Sequence, residues 1–144
     1  QAARPGIAVV TPITSSLAAL DLFGAERIAV LTPYVDDVNA GIARYLEDHG
    51  KSISAFSSFK IVENEVMALV TPQSIFNAAL EADRNDADAL FISCTAIRAV
   101  EVIDKIEQKL GKPVITAVQA MFWQSLRLAG FKGKISGYGQ LMCL

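Results

Sequence analysis

Residues 89–99, ALFISCTAIRA, pass from an apolar run through the small polar residues Ser93, Cys94 and Thr95 toward a helical pattern. A continuous apolar run of this length suits a strand covered on both faces, and a strand that gives way to a turn and then a helix is the unit of a parallel sheet. Four more runs read the same way: residues 7–11 (IAVVT), 28–32 (IAVLT), 53–56 (ISAF) and 114–118 (VITAV). Five strands are therefore expected. Helical patterns occupy residues 15–23, 36–49, 72–83, 99–110 and 121–129, and Gly24, Gly50, Gly111 and Gly130 each follow one, where a left-handed residue ends a helix. Strand and helix in alternation predict an α/β fold, a parallel sheet with helices on both faces and right-handed crossovers. Ligands of such sheets bind beyond the carboxyl ends of the strands.

Composition agrees with a packed domain, since 52% of the 144 residues are apolar and only 19% are charged. Thirteen basic residues against fifteen acidic ones give a net charge of -2 with no basic cluster, so no nucleic-acid partner is expected. No apolar run reaches the ~18 residues that span a bilayer, and the opening QAARPG lacks the layout of a secretory signal. A cytoplasmic protein without a membrane partner is the expectation. Two distant cysteines, Cys94 and Cys143, do not make a disulfide framework, which fits a reducing compartment.

The chain also echoes itself. Residues 5–24 (PGIAVVTPITSSLAALDLFG) and 112–130 (KPVITAVQAMFWQSLRLAG) share a proline, a strand, a helix with leucines in the same phase and a closing glycine. The domain reading that follows assigns residues 1–24 to the last strand and helix of an N-terminal half not contained in this sequence. Residues 25–130 form one complete α/β repeat, and residues 131–144 a tail that packs back on the other half. Leu17, Leu20, Phe122 and Trp123 are then expected to be partly uncovered.

Cys94 is the first candidate for chemistry, because a thiol at a strand end that enters a helix meets outward-pointing backbone N–H groups and reacts as a thiolate. A buried cysteine that merely fills the core is equally compatible with the position. Tyr34 and Asn39 lie in TPYVDDVN, the corresponding turn after residues 28–32, where Asp36 or Asp37 is expected to cap the next helix. Asn64 sits in the expected loop KIVENEVMALV. His49, the sole histidine, precedes Gly50 at a helix end and reads as structural. Trp123 falls at helical spacing with Leu126 and reads as core. No residues have zinc-ligand spacing, and no metal is expected.

The segments RIAVLTPYVDDVN, DALFISCTAIRAVEVIDKIEQKLGKPVITA and FWQSLRLAGFKGKISGYGQLM together resemble the C-terminal half of the maleate isomerase and arylmalonate decarboxylase group, within the aspartate/glutamate racemase superfamily. The tyrosine of TPYVDDVN, the cysteine of SCTAI and the GYG around Tyr138 carry the likeness. The resemblance implies one repeat of a two-repeat fold, with the active site in the cleft between the halves and no metal or organic cofactor. It implies Cys94 as proton donor or acceptor, Tyr34 as the hydroxyl that binds a substrate carboxylate, Thr95 as a backbone N–H beside the thiol, Asn64 as a second carboxylate holder and Met67 as a pocket wall. Asn64 tilts the implied substrate toward a small dicarboxylate such as maleate.

The expected function is thus the C-terminal half of an isomerase acting on a small carboxylate substrate, completed by the absent N-terminal half and inactive alone. Arylmalonate decarboxylation and amino-acid racemisation, including the activities of members associated with ectoine degradation, are the alternatives within the superfamily. A non-catalytic domain that binds a small acid is the alternative outside it. Apolar surface left by the absent half predicts a homo-oligomer.

Overall fold

The structure, a computed structural model, describes residues 4–144, so the first three residues of the expected 1–24 segment lie outside the described residues. Thr11 caps the first helix, α1 (Pro12–Leu22), by accepting the Thr14 N–H, and Pro12 stands at its first turn, where a missing N–H costs nothing. The chain continues through β1 (Arg27–Thr32), α2 (Asp36–Asp48) and β2 (Ser52–Ser58). After β2 come a short α3 (Asn64–Ala68), then α4 (Pro72–Ala82) and β3 (Ala89–Ile92). A 3₁₀ turn (Ala99–Glu101), α5 (Ile103–Leu110), β4 (Val114–Thr116), α6 (Ala117–Leu128) and a second 3₁₀ turn (Gln140–Cys143) complete it.

The four strands form one parallel sheet in the order β2-β1-β3-β4. Alternate side chains divide between two cores, as period-two geometry requires. Ile28, Val30, Ala89, Phe91 and Ile115 pack with Leu17 and Leu20 of α1, Leu46 of α2 and Ala120 of α6. Ala29, Leu31, Leu90, Ile92 and Val114 pack with Ile75 and Ala79 of α4 and with Ile103 and Ile106 of α5. Helices therefore cover both faces, and the strands read as continuous apolar runs for that reason. Beside β1 the order places β2 on one side and β3 on the other, so the chain reverses its direction of travel across the sheet between β1 and β3. A crevice beyond the carboxyl ends of these two strands is where such a sheet holds ligands.

Several expectations about elements need correction. Residues 7–11 do not join the sheet; Ile7 and Val9 are exposed, and Thr11 is committed to capping α1. The last strand stops at Thr116 rather than Val118, because Thr116 and Gln119 form a capping box that starts α6 at Ala117. The helix expected from Ala99 opens as a 3₁₀ turn and becomes α-helical only at Ile103. The stretch around Asn64, expected as loop, contains α3. Neither Asp36 nor Asp37 caps α2: the cap position is Val35, and both aspartates lie in the first turn, where their charge still complements the helix dipole.

Leu17 and Leu20, expected to be partly uncovered, are buried in the core with β1 and β3, whereas Phe122 is 55% exposed. Trp123 is half-buried against the same core. The four glycines that close helices all have positive φ, between 64° and 84°. At Gly111, whose N–H bonds the Glu107 carbonyl, that left-handed turn carries α5 straight into β4.

The tail is fastened to α5 and α6. Gly139 N–H donates to Asp104 at 2.5 Å, Gln140 N–H to Glu107 at 2.9 Å, and Gln119 Nε2 to the Tyr138 carbonyl at 2.6 Å. Gly139 has φ 84°, and a Cβ there would stand 2.5 Å from Ile103 Cγ2, so the close approach itself requires glycine. Leu141 and Met142 are buried beneath this strap.

Candidate active site

The turn that follows β1 carries Tyr34, and side chains pin it from three elements. Its N–H donates to Thr32 Oγ1 at 3.2 Å, and its carbonyl accepts Asn39 Nδ2 at 2.9 Å and the Ser58 hydroxyl. Thr32 Oγ1 in turn donates to Asn39 Oδ1 at 2.6 Å. The chain after β3 carries Cys94 in irregular backbone. Ser93 N–H still bonds the Leu31 carbonyl at 2.9 Å, so the turn hangs directly from the strand ends.

The two turns bring Tyr34 and Cys94 together. Burial raises the Tyr34 phenol well above its ordinary range, and the nearby Cys94 side chain raises it further. Tyr34 therefore stays a protonated donor at neutral pH. Cys94 is 5% exposed, and its sulfur accepts the Ala96 N–H at 3.2 Å. The amide that reaches the sulfur is that of Ala96, in the bend after Thr95. The helix end expected beside the thiol lies farther along the chain, since α5 begins at Ile103.

A cleft of about 410 Å³ opens at this point. Tyr34, Ser93, Cys94 and Thr95 form its polar rim, Phe91 and Ala117 its floor, and Pro12 and Ile13 of α1 one side. Val38, Gly41, Ile42 and Tyr45 of α2 form an apolar wall at helical spacing. The structure thus gathers Tyr34, Cys94 and Thr95 on one cleft. Asn64 is exposed in the first turn of α3 and does not line it. Met67 is 3% exposed and lies in the same packed cluster as Cys94 rather than on the cleft wall.

Sequence reasoning missed the parts that hold the pair in place. Thr32, Ser58 and the Ala96 amide carry no motif of their own. Their signal is positional, each lying at or just beyond the carboxyl end of a strand. His49, read as structural, has Nδ1 2.7 Å from the Tyr45 carbonyl and its ring stacked on that of Tyr45. Among the described residues, no group of three or more His, Cys, Asp or Glu side chains could hold a metal ion. No described helix is long and apolar enough to cross a membrane.

Comparison with known proteins bears on this site. A family model described as arylmalonate decarboxylase matches residues 2–142. The chain is 32% identical over 139 residues to the arylmalonate decarboxylase of Bordetella bronchiseptica, covering 94% of this chain and 58% of that protein. It is 28% identical over 131 residues to the maleate isomerase of Nocardia farcinica, covering 90% of this chain and 51% of that one. A crystal structure of an arylmalonate decarboxylase double mutant in a liganded form superposes with a TM-score of 0.89 at 32% identity, covering 94% of this chain and 59% of that chain. The Nocardia farcinica maleate cis-trans isomerase bound to TRIS gives a TM-score of 0.90 at 24% identity, covering 94% and 55%, and shows a shared fold. The chain spans little more than half the length of the curated relatives it matches.

Proposed function

This chain belongs to the arylmalonate decarboxylase family, and from that premise we propose that it supplies one wall of the active site of a cysteine-dependent isomerase acting on a small dicarboxylate. The observation that carries the reading is that Tyr34 and Cys94 line one cleft at the reversal point of the sheet. A neutral phenol is a donor suited to a carboxylate and to the enediolate that forms when charge moves onto it. Cys94 beside it exchanges a proton with the neighbouring carbon: as a nucleophile on the opposite wall adds to the double bond, the S–H bond breaks and a C–H bond forms, and after rotation about the resulting single bond the proton returns to the sulfur as the nucleophile leaves. Thr95 lies on the same rim. Asn64, exposed on α3, is assigned the second carboxylate once the complementary half is in place.

The opposite wall comes from a complementary half. The shares of the relatives' length support this, as does the echo between residues 5–24 and 112–130. A second reading, decarboxylation of an aryl-substituted malonate, is favoured by the apolar wall of α2 and by the position of Asn64 away from the cleft. In that reaction a C–CO₂ bond breaks, carbon dioxide leaves, and the enediolate takes the Cys94 proton.

Both readings are tested on the chain joined to its complementary half, assayed for conversion of maleate to fumarate and for carbon dioxide released from phenylmalonate. The isomerase reading expects the first activity to dominate. Carbon dioxide from phenylmalonate with no turnover of maleate moves the assignment to the second. Binding of either acid without turnover makes the site a sensor of small acids.

A further inference from the structure

Asn39 is 7% exposed, and both ends of its amide are spent on the Tyr34 turn rather than on its own helix. Its backbone N–H makes the ordinary helical bond to the Val35 carbonyl, so nothing in α2 needs the side chain. The Tyr34 carbonyl already accepts the Ser58 hydroxyl and would not be left unpaired without Asn39. The second donor therefore does something other than satisfy a buried acceptor. With Thr32 Oγ1 donating to Asn39 and receiving the Tyr34 N–H, it closes a ring of three bonds through Thr32, Asn39 and Tyr34. Such a ring fixes the orientation of the peptide that bears the phenol.

We propose that Asn39 is a positioning residue, holding the backbone of Tyr34 so that its side chain stays on the cleft it shares with Cys94. The inference rests on the reading that Tyr34 and Cys94 act as a pair. It extends to the far side of the turn, because Ser58 also accepts the Lys60 N–H at 3.0 Å, and Ile61 N–H bonds the Pro33 carbonyl at 2.7 Å. The segment leading to Asn64 is thus hung from the same turn.

A residue that merely stabilises the fold and one that aims Tyr34 are separated by a double-mutant cycle. In a Cys143→Ser background, the rate at which iodoacetamide modifies Cys94 is measured for the chain, for Asn39→Ala, for Tyr34→Phe and for the pair. Alkylation proceeds through the thiolate, which a phenol donor on the same cleft favours, so losing or misplacing that donor is expected to slow it about tenfold in Tyr34→Phe and by a similar factor in Asn39→Ala. In the Tyr34→Phe background, Asn39→Ala should change the rate less than about twofold, since the group it acts through is gone. Equal effects in both backgrounds, or no effect in either, overturn the proposal. Asn39→Asp, of the same shape but without the Nδ2 donor, repeats the cycle if the alanine variant does not fold, with the same outcomes. The cycle is run without substrate, so its result is independent of which acid, if any, the assembled enzyme turns over.

Discussion

Tyr34 and Cys94 line one cleft beyond β1 and β3, the two strands between which the chain reverses its course across the sheet. Neither residue could find the other from sequence spacing alone; the parallel pairing of β1 with β3 brings their turns together.

That relationship predicts the largest effects on turnover. In the chain joined to its complementary half, Cys94→Ser should lower kcat by more than ~100-fold, because a serine hydroxyl is a far poorer proton donor and acceptor at neutral pH. Tyr34→Phe should cost roughly 100-fold, the scale of losing one donor to a developing oxyanion. Steady-state kinetics on maleate and phenylmalonate check both, and near-normal turnover by Cys94→Ser would remove the thiol from the mechanism.

Access to the thiol gives a second expectation. Cys94 is 5% exposed, whereas Cys143 in the tail is partly exposed. Iodoacetamide should therefore modify Cys143 first in the folded chain, and peptide mass spectrometry at early times reads the order. Preferential labelling of Cys94 would mean that its turn opens readily in solution.

The class of fold was legible because strands buried on both faces leave unbroken apolar runs, as at residues 28–32 and 89–92. Residues 7–11 have the same composition and yet stand outside the sheet, since an apolar run reports the wish to be covered and not the presence of a partner strand. Thr116 ended β4 early through a local capping box, a signal visible in the sequence but outweighed there by the β-branched run before it. Of the cleft lining, Tyr34 and Cys94 stood out in the sequence by their motifs. Thr32, Asn39 and Ser58 act through hydrogen bonds to backbone, which leave no pattern until the strands are placed side by side.

Glu107 links β4 to the tail, accepting Val114 N–H at 3.0 Å and Gln140 N–H at 2.9 Å. Burial raises its carboxyl above the usual range; the two amides work against this, and Asp104 adds to it. A carboxyl raised in the folded state binds its proton more tightly there than in the unfolded chain. Its contribution is fully present below the unfolded pKa and is lost as pH rises through the folded one. The Tm of the chain relative to Glu107→Gln should therefore increase as pH falls from neutral toward the ordinary glutamate range. A Tm difference independent of pH would show that Glu107 titrates as it does in the unfolded chain.

Asp88 has the opposite sign. Its carboxylate accepts Arg27 N–H at 2.8 Å and Glu26 N–H at 3.0 Å at the start of β1, and these bonds hold it below the usual range. The stability it confers is present above the unfolded pKa and is lost as pH falls through the folded one. Asp88→Asn should lower Tm at pH 7 and lose that effect in strong acid, as thermal unfolding across the acid range will show.

The last expectation concerns the chain alone. A cleft reaction needs donors and acids held within a fraction of an ångström on opposite sides of the substrate, and Tyr34, Cys94 and Thr95 stand on one side only. The 144-residue chain by itself should then be inactive on maleate, and turnover should appear when a complementary half is supplied. Exposed apolar side chains, with Val9 at 58% and Phe122 at 55%, should in its absence drive association between copies. Sedimentation and a turnover assay on the same preparation decide the matter, because a monomer with full isomerase activity would place both walls of the active site within these residues and overturn the half-site reading.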